Sequence, residues 1–313
     1  MSKIVEAKLT TSTSDGLELE IKHIHAPESA PRGSLVLTHA MMVDSRTFYR
    51  RGHGMAEFFA TLGWHVFTFD FRGRRGVGLK PTEGGSWGYD DLIERDLPAA
   101  LEFITEQNTP GPLVLGGHSL GGHASIAAAG AGLLPDHIDA FLLLSTNIWR
   151  PSLEPKWWRR SKKALNSRLF ALITSIFGYF PSRRLRFGPC DEAHTYVQDL
   201  RRLWVTDRWC SRDGQRDYTA GARALEKPIL SVIGRGDRLM AHHAGAERWF
   251  ADVGAGMKDY WVVGRGQFGL EFDPDHMTVV TSSAASPLWR EIDRWLQETL
   301  MPRRIEARRM GDT

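Results

Sequence analysis

The sequence predicts an α/β protein in which a mostly parallel sheet is flanked by helices and carries a helical insertion. Three observations predict it. Short apolar runs bounded by turn residues alternate with helix-periodic segments over most of the chain, as strands joined by crossover helices do. One such run, Pro112-Leu113-Val114-Leu115-Gly116, leads straight into Gly117-His118-Ser119-Leu120-Gly121, a G-x-S-x-G turn with small residues after it. The alternation stops between residues 149 and 227 and resumes at Pro228.

Residues 1–25 read as an edge hairpin turning at Ser14-Asp15-Gly16. Strands are predicted near 34–38, 65–70, 113–117 and 140–145, with helices near 46–62, 90–107 and 119–133 between them. Strands at 228–233 and 259–263 and a closing helix at 286–300 complete an eight-stranded sheet. The organisation expected is a core of 1–148 and 228–302, a helical cap of 149–227 between the sixth and seventh strands, and a basic tail of 303–313. The cap holds Trp149, Trp157, Trp158, Trp204 and Trp209, and an apolar helical run from Leu169 to Phe180. Trp149, Phe177 and Trp204 are expected to line a substrate pocket, with that apolar run as its acyl wall.

A chain of 313 residues with 42% hydrophobic content can bury a large core. Its first residues lack a basic-then-apolar leader, and no run of 18 apolar residues occurs, so a cytoplasmic protein without a membrane span is expected. Cys190 and Cys210 are too few for a disulfide framework or a zinc site, and the chemistry below calls for no metal or organic cofactor. Charge is uneven: the cap has 17 Lys and Arg against 8 Asp and Glu, although the whole chain is only +3. Such a cap suits an anionic small-molecule substrate. Trp157-Trp158-Arg159-Arg160-Ser161-Lys162-Lys163 also has a nucleic-acid-like composition, but a solvated helix face with arginine stems on tryptophan is the simpler reading. No nucleic-acid partner is expected, and a homodimer is compatible with the sequence.

A serine at a tight strand-to-helix turn is held in strained backbone that lifts its hydroxyl clear of the sheet. Ser119 is therefore the candidate nucleophile. It needs a base, and the base needs an orienting carboxylate. The strand at 228–233 ends in Gly234-Arg235-Gly236-Asp237, placing Asp237 at a strand's carboxyl end, where open α/β sheets face their ligand crevice. The end of the preceding strand offers Thr146-Asn147 and no carboxylate. After the last strand, a loop carries Asp275-His276. His242 and His243 compete as bases but fall just after Asp237, on the next helix, with poor reach to Ser119. Asp273 and Asp275 flank His276 and could raise its basicity. The order Ser119, Asp237, His276 is that of nucleophile, acid and base.

On these residues the chain resembles the α/β-hydrolases, in particular the bacterial lysophospholipase-like or serine-aminopeptidase-like group. The likeness rests on His39-Ala40-Met41 with Thr47-Phe48-Tyr49-Arg50, Phe69-Asp70-Phe71-Arg72-Gly73, the serine motif, and Phe177-Gly178-Tyr179-Phe180-Pro181 with Arg183-Arg184-Leu185. Gly266-Gln267-Phe268-Gly269 imitates a motif that usually holds a histidine near the catalytic position, while the spacing from His276 to Leu288-Trp289 agrees with that position. The resemblance implies an oxyanion hole from the backbone N–H groups of Leu120 and Met41, with Ala40 replacing the usual glycine. His39, Met42 and His118 are expected beside the substrate. The function implied is hydrolysis of a carboxylic ester through an acyl-enzyme. An acyltransferase or thioesterase would use the same triad. A ligand-binding protein, or an acid/base enzyme acting on a non-ester, would keep the pocket.

Overall fold

The computed structural model describes residues 3–49, 53–254 and 256–311. Arg50, and the side chains of the basic tail from residue 303, lie outside that description.

Strand β5 (Leu113–His118) shows why the sheet forms where it does: every residue in it is buried. A strand covered by helices on both faces needs an unbroken apolar run, not alternation. Its neighbour β3 (Gly33–Thr38) and, two strands to the other side, β9 (Ile229–Gly234) are also buried throughout. The other main-sheet strands are β1 (Val5–Ser12), β2 (Glu18–His25), β4 (Trp64–Phe69), β6 (Ile138–Leu144) and β10 (Lys258–Val263). The order across the sheet is β1-β2-β4-β3-β5-β6-β9-β10. β2 runs antiparallel to both neighbours, and all pairs from β4 to β10 are parallel. This is the fold class read from the sequence. Alternation splits the core into two layers: Leu35 and Leu37 of β3 enter one, with Phe59, Trp289 and Leu296, and Val36 enters the other, with Leu115 and Phe141.

Three helices differ from expectation. The one expected at 46–62 is a 3-10 turn, Ser45–Thr47, and a separate helix, Met55–Thr61. Gly54 starts the second, its N–H received by the Glu57 carboxylate at 2.6 Å. Residues 89–106 are helical but widen to a π-turn over Leu92–Asp96, where Leu97 N–H reaches back to the Leu92 carbonyl; Pro98, which has no N–H, follows directly. The closing helix runs from Ser286 to Gly311, beyond the expected 300.

Between β6 and β9 lie a helix Trp157–Phe177, stopped by Gly178 at φ 76°, a two-stranded ribbon of β7 (Tyr179–Phe180) and β8 (Glu192–Ala193), and helices His194–Thr206 and Tyr218–Arg223. Cys190 and Cys210 are both free and buried there. No helix among the described residues is long and apolar enough to cross a membrane.

Candidate active site

Ser119 sits between the end of β5 and the helix Leu120–Gly130 with φ 53° and ψ −111°, a strained conformation for a non-glycine residue. Two glycines make the turn possible. A Cβ on Gly117 would overlap the backbone of Gly121 and Gly122, and one on Gly121 would overlap the Thr38 carbonyl. Ser119 N–H is held by the Leu144 carbonyl at 2.9 Å, so β6 clamps the turn from the side.

Asp237 and His276 meet above the carboxyl end of β9. His276 Nδ1 lies 2.6 Å from Asp237 Oδ2, which also accepts the Ala241 N–H at 2.9 Å. The histidine and these amide bonds outweigh burial and hold the Asp237 carboxyl below its usual value, as an acceptor-only carboxylate. The proton between them therefore belongs to Nδ1, and the lone pair of a neutral His276 is left on Nε2. Gly236 N–H donates to the Pro274 carbonyl at 2.9 Å, strapping the Asp237 turn to the His276 loop. Asp275 points elsewhere, capping the next helical turn through the Met277 and Thr278 amides, and Asp273 accepts from Arg265 N–H.

His118 fastens this loop to the serine turn. Fully buried, its Nε2–H donates to the His276 carbonyl at 2.7 Å, and burial lowers its pKa to about 3, so it is neutral. Among the described residues no Ser119 Oγ–His276 Nε2 hydrogen bond is formed, a contact that unliganded sites commonly leave long.

The N–H groups of Met41 and Leu120 have no acceptor among the described residues, and both residues line one cavity with Ser119. The loop bearing Met41 is anchored on both sides. Gly121 N–H donates to the His39 carbonyl at 3.1 Å, and Met42 is gripped by β8 and its approach: Met42 N–H donates to Glu192 Oε1 at 2.5 Å, and Cys190 N–H to the Met42 carbonyl at 3.0 Å. Glu192 also pairs with Arg74 at 2.7 Å, both fully buried. Sequence reasoning missed Arg74 and Glu192. The second arginine of Arg72-Gly73-Arg74 was the available signal, but its partner lies 118 residues away.

The cavity has a volume of about 80 Å³. Trp149, Ile148, Phe170, Leu200, Leu203 and Trp204 form most of its apolar wall. Of the side chains expected beside the substrate, Trp149 and Trp204 line this cavity. His39, Met42, His118 and Phe177 do not line it. His39 is a brace: its Nδ1–H donates to the Ala40 carbonyl at 2.7 Å and its Nε2 accepts Phe71 N–H at 3.1 Å. Phe177 is exposed, with Arg184 over its ring. Of the apolar run Leu169–Phe180, Phe170 faces the cavity, whereas Leu169, Leu172, Ile176 and Phe177 face outward. His242 caps the helix His243–Asp252 and faces Arg159 at 3.0 Å.

A sequence model of the serine aminopeptidase S33 family matches residues 29–264. The chain belongs to that family. The matched stretch contains Ser119 and Asp237 and ends before His276. Solved α/β structures share the S33-family chain's fold: an esterase from Pyrococcus furiosus, 18% identical with a TM-score of 0.61 over 95% of this chain and 92% of that one, and a thermophilic esterase from Thermogutta terrifontis, 17% identical with a TM-score of 0.60 over 95% and 99%. Human lipase member N is 29% identical over 124 residues, which span 35% of this chain and 31% of that protein. Among the described residues of this S33-family chain, no cluster of three or more His, Cys, Asp or Glu is placed to hold a metal ion.

Proposed function

We propose that this hydrolase-family chain cleaves carboxylic esters through Ser119, His276 and Asp237. The observation that carries the reading is the convergence on one cavity of a strained serine and two unengaged backbone N–H groups, Met41 and Leu120. Ser119 Oγ attacks the carbonyl carbon as its proton passes to His276 Nε2. The oxygen gains negative charge and is received by the two N–H groups. His276 then gives the proton to the departing alkoxide, leaving an acyl-enzyme. Water repeats the sequence, releasing acid and restoring Ser119. Asp237 holds the productive tautomer and steadies the imidazolium. The esterases of like fold and the partial likeness to a lipase support an ester as substrate.

The test is fluorophosphonate labelling and turnover of nitrophenyl esters, with Ser119→Ala as control. Stoichiometric labelling at Ser119 and turnover that disappears in the variant are expected. Unlabelled protein without turnover sinks the reading. Product analysis with added alcohols or thiols separates hydrolysis from acyl transfer.

A further inference from the structure

Nine of the thirteen large apolar side chains exposed among the described residues fall between Trp157 and Phe187. They are not scattered. On the helix Trp157–Phe177, Trp158, Leu165, Leu169, Leu172 and Ile176 recur at helical spacing and form one outward stripe, with Leu172 57% and Ile176 69% exposed. The opposite face carries the buried Arg159, Lys163, Ser167, Ala171 and Thr174. Leu185 and Phe187, on the loop between β7 and β8, are exposed as well. A contiguous apolar surface of this kind marks an interaction site in a water-exposed protein.

The charge around the stripe identifies the partner. Between residues 155 and 190 there is no Asp or Glu. Exposed Lys162 and Arg168 flank the stripe on the helix, and exposed Arg183, Arg184 and Arg186 follow on the loop. The two buried cations of the helix, Arg159 and Lys163, are already neutralised by Glu154 at 2.8 and 3.1 Å. We propose that this outer face of the cap docks on an anionic lipid bilayer, with Leu165, Leu172 and Ile176 entering the interface and the flanking cations meeting lipid phosphates. A second copy is a poor occupant, because a two-fold contact through this face would set arginines against the same arginines with no carboxylate between. The inward side of the same helix gives Ser167 and Phe170 to the cavity at Ser119, so docking would place the bilayer directly behind one wall of the site. The inference goes beyond the catalytic reading and does not depend on it.

Flotation of the full chain with vesicles tests this, comparing phosphatidylcholine alone with mixtures rich in phosphatidylglycerol at low and high salt. Binding to the anionic vesicles that weakens with salt is expected. Each cation near an anionic leaflet contributes roughly a factor of five, so Arg183→Ala/Arg184→Ala/Arg186→Ala should lose on the order of 10²-fold in partitioning. Leu172→Glu/Ile176→Glu should abolish binding while its thermal unfolding stays that of the parent, since both side chains are exposed. Absence of partitioning, equal binding to zwitterionic vesicles, or variants that partition like the parent overturns the proposal. So does a dimer in sedimentation that Leu172→Glu dissolves, or retention by an acidic polypeptide in place of lipid. No turnover is measured, so these outcomes are independent of any failure of the Ser119 mechanism.

Discussion

His118 Nε2–H reaches the main-chain carbonyl of His276 at 2.7 Å, tying the residue before Ser119, the proposed nucleophile, to the backbone of the proposed base. The bond joins two segments 158 residues apart. His118→Phe keeps the ring and removes the donor. Because ångström-scale displacement of a catalytic group costs about 10²-fold, kcat should fall by roughly that factor with KM little changed. His118→Gln, which can still donate, should recover part of it. Equal activity in His118→Phe and the parent would falsify the positioning role.

The proposed triad predicts a pattern of losses. Ser119→Ala and His276→Ala should each lower kcat about 10⁵–10⁶-fold, and the double variant scarcely more, because such residues act as a unit. Asp237→Asn should cost about 10⁴-fold, since the amide no longer enforces a proton on Nδ1. His242→Ala should leave turnover nearly intact and lower stability by about 1 kcal/mol through loss of its helix cap. Steady-state kinetics on one activated ester checks the activities of all five variants, and thermal unfolding checks the stability of His242→Ala. A dead His242→Ala beside an active His276→Ala reverses the assignment of the base.

Much of this was legible in the chain because the signals are local. Apolar runs gave the sheet, the glycine pair gave the serine turn, and the strand ends placed Asp237. What stayed hidden was long-range or a matter of direction. Ser45–Thr47 and Met55–Thr61 take the place of the single helix expected at 46–62 and are separate, because Gly54 starts a new helix there. His39 and His118 lie beside site residues in sequence, yet both rings turn into the protein to hold loops together. The run Leu169–Phe180 was apolar enough to suggest a pocket wall, but helical periodicity alone does not say which side of a cap helix faces the core.

The buried histidines make stability depend on acid. Burial lowers His39, His118 and His123 to about 3, so the folded state keeps them neutral far below 6.5, where the unfolded chain takes up protons. A depressed histidine pKa therefore costs nothing above pH 6.5 and erodes stability progressively from there down to about pH 3. At pH 5 each should cost about 2 kcal/mol. Thermal unfolding should show a fall in Tm on the order of 10 °C between pH 7.5 and pH 5. A flat profile across that window removes the claim that these rings are held neutral.

Glu192 links the segment inserted between β6 and β9 to the candidate oxyanion loop. It accepts Met42 N–H and pairs with Arg74 in full burial, so Glu192→Ala leaves an unpaired guanidinium and a loose loop. Removing one partner of a buried pair costs about 3–5 kcal/mol. Denaturant unfolding should show that loss. Whatever folded protein remains should show a lower kcat, because Met41, the neighbour of Met42, carries one of the two N–H groups proposed to receive the oxyanion.

The cavity is not a plain hydrocarbon slot. Both amide atoms of Asn147, Ser167 Oγ and Tyr196 Oη are buried without a hydrogen-bond partner among the described residues, and all three residues line the cavity with Ser119. Leaving such groups unpaired costs about 1–3 kcal/mol each. An acyl group that brings its own hydroxyl or carbonyl satisfies them, whereas a bare alkyl chain does not. A 3-hydroxybutanoate ester should therefore exceed the butanoate ester in kcat/KM by about tenfold or more. Lengthening an unsubstituted chain should raise kcat/KM by about fourfold per methylene at first and then stop early, because the volume is about 80 Å³. Tyr196→Phe should reduce the hydroxyl preference while sparing turnover of the butanoate ester. Equal rates for the two esters, or a rise that continues unchecked to long unsubstituted chains, would mean that these polar atoms take no part in choosing the substrate.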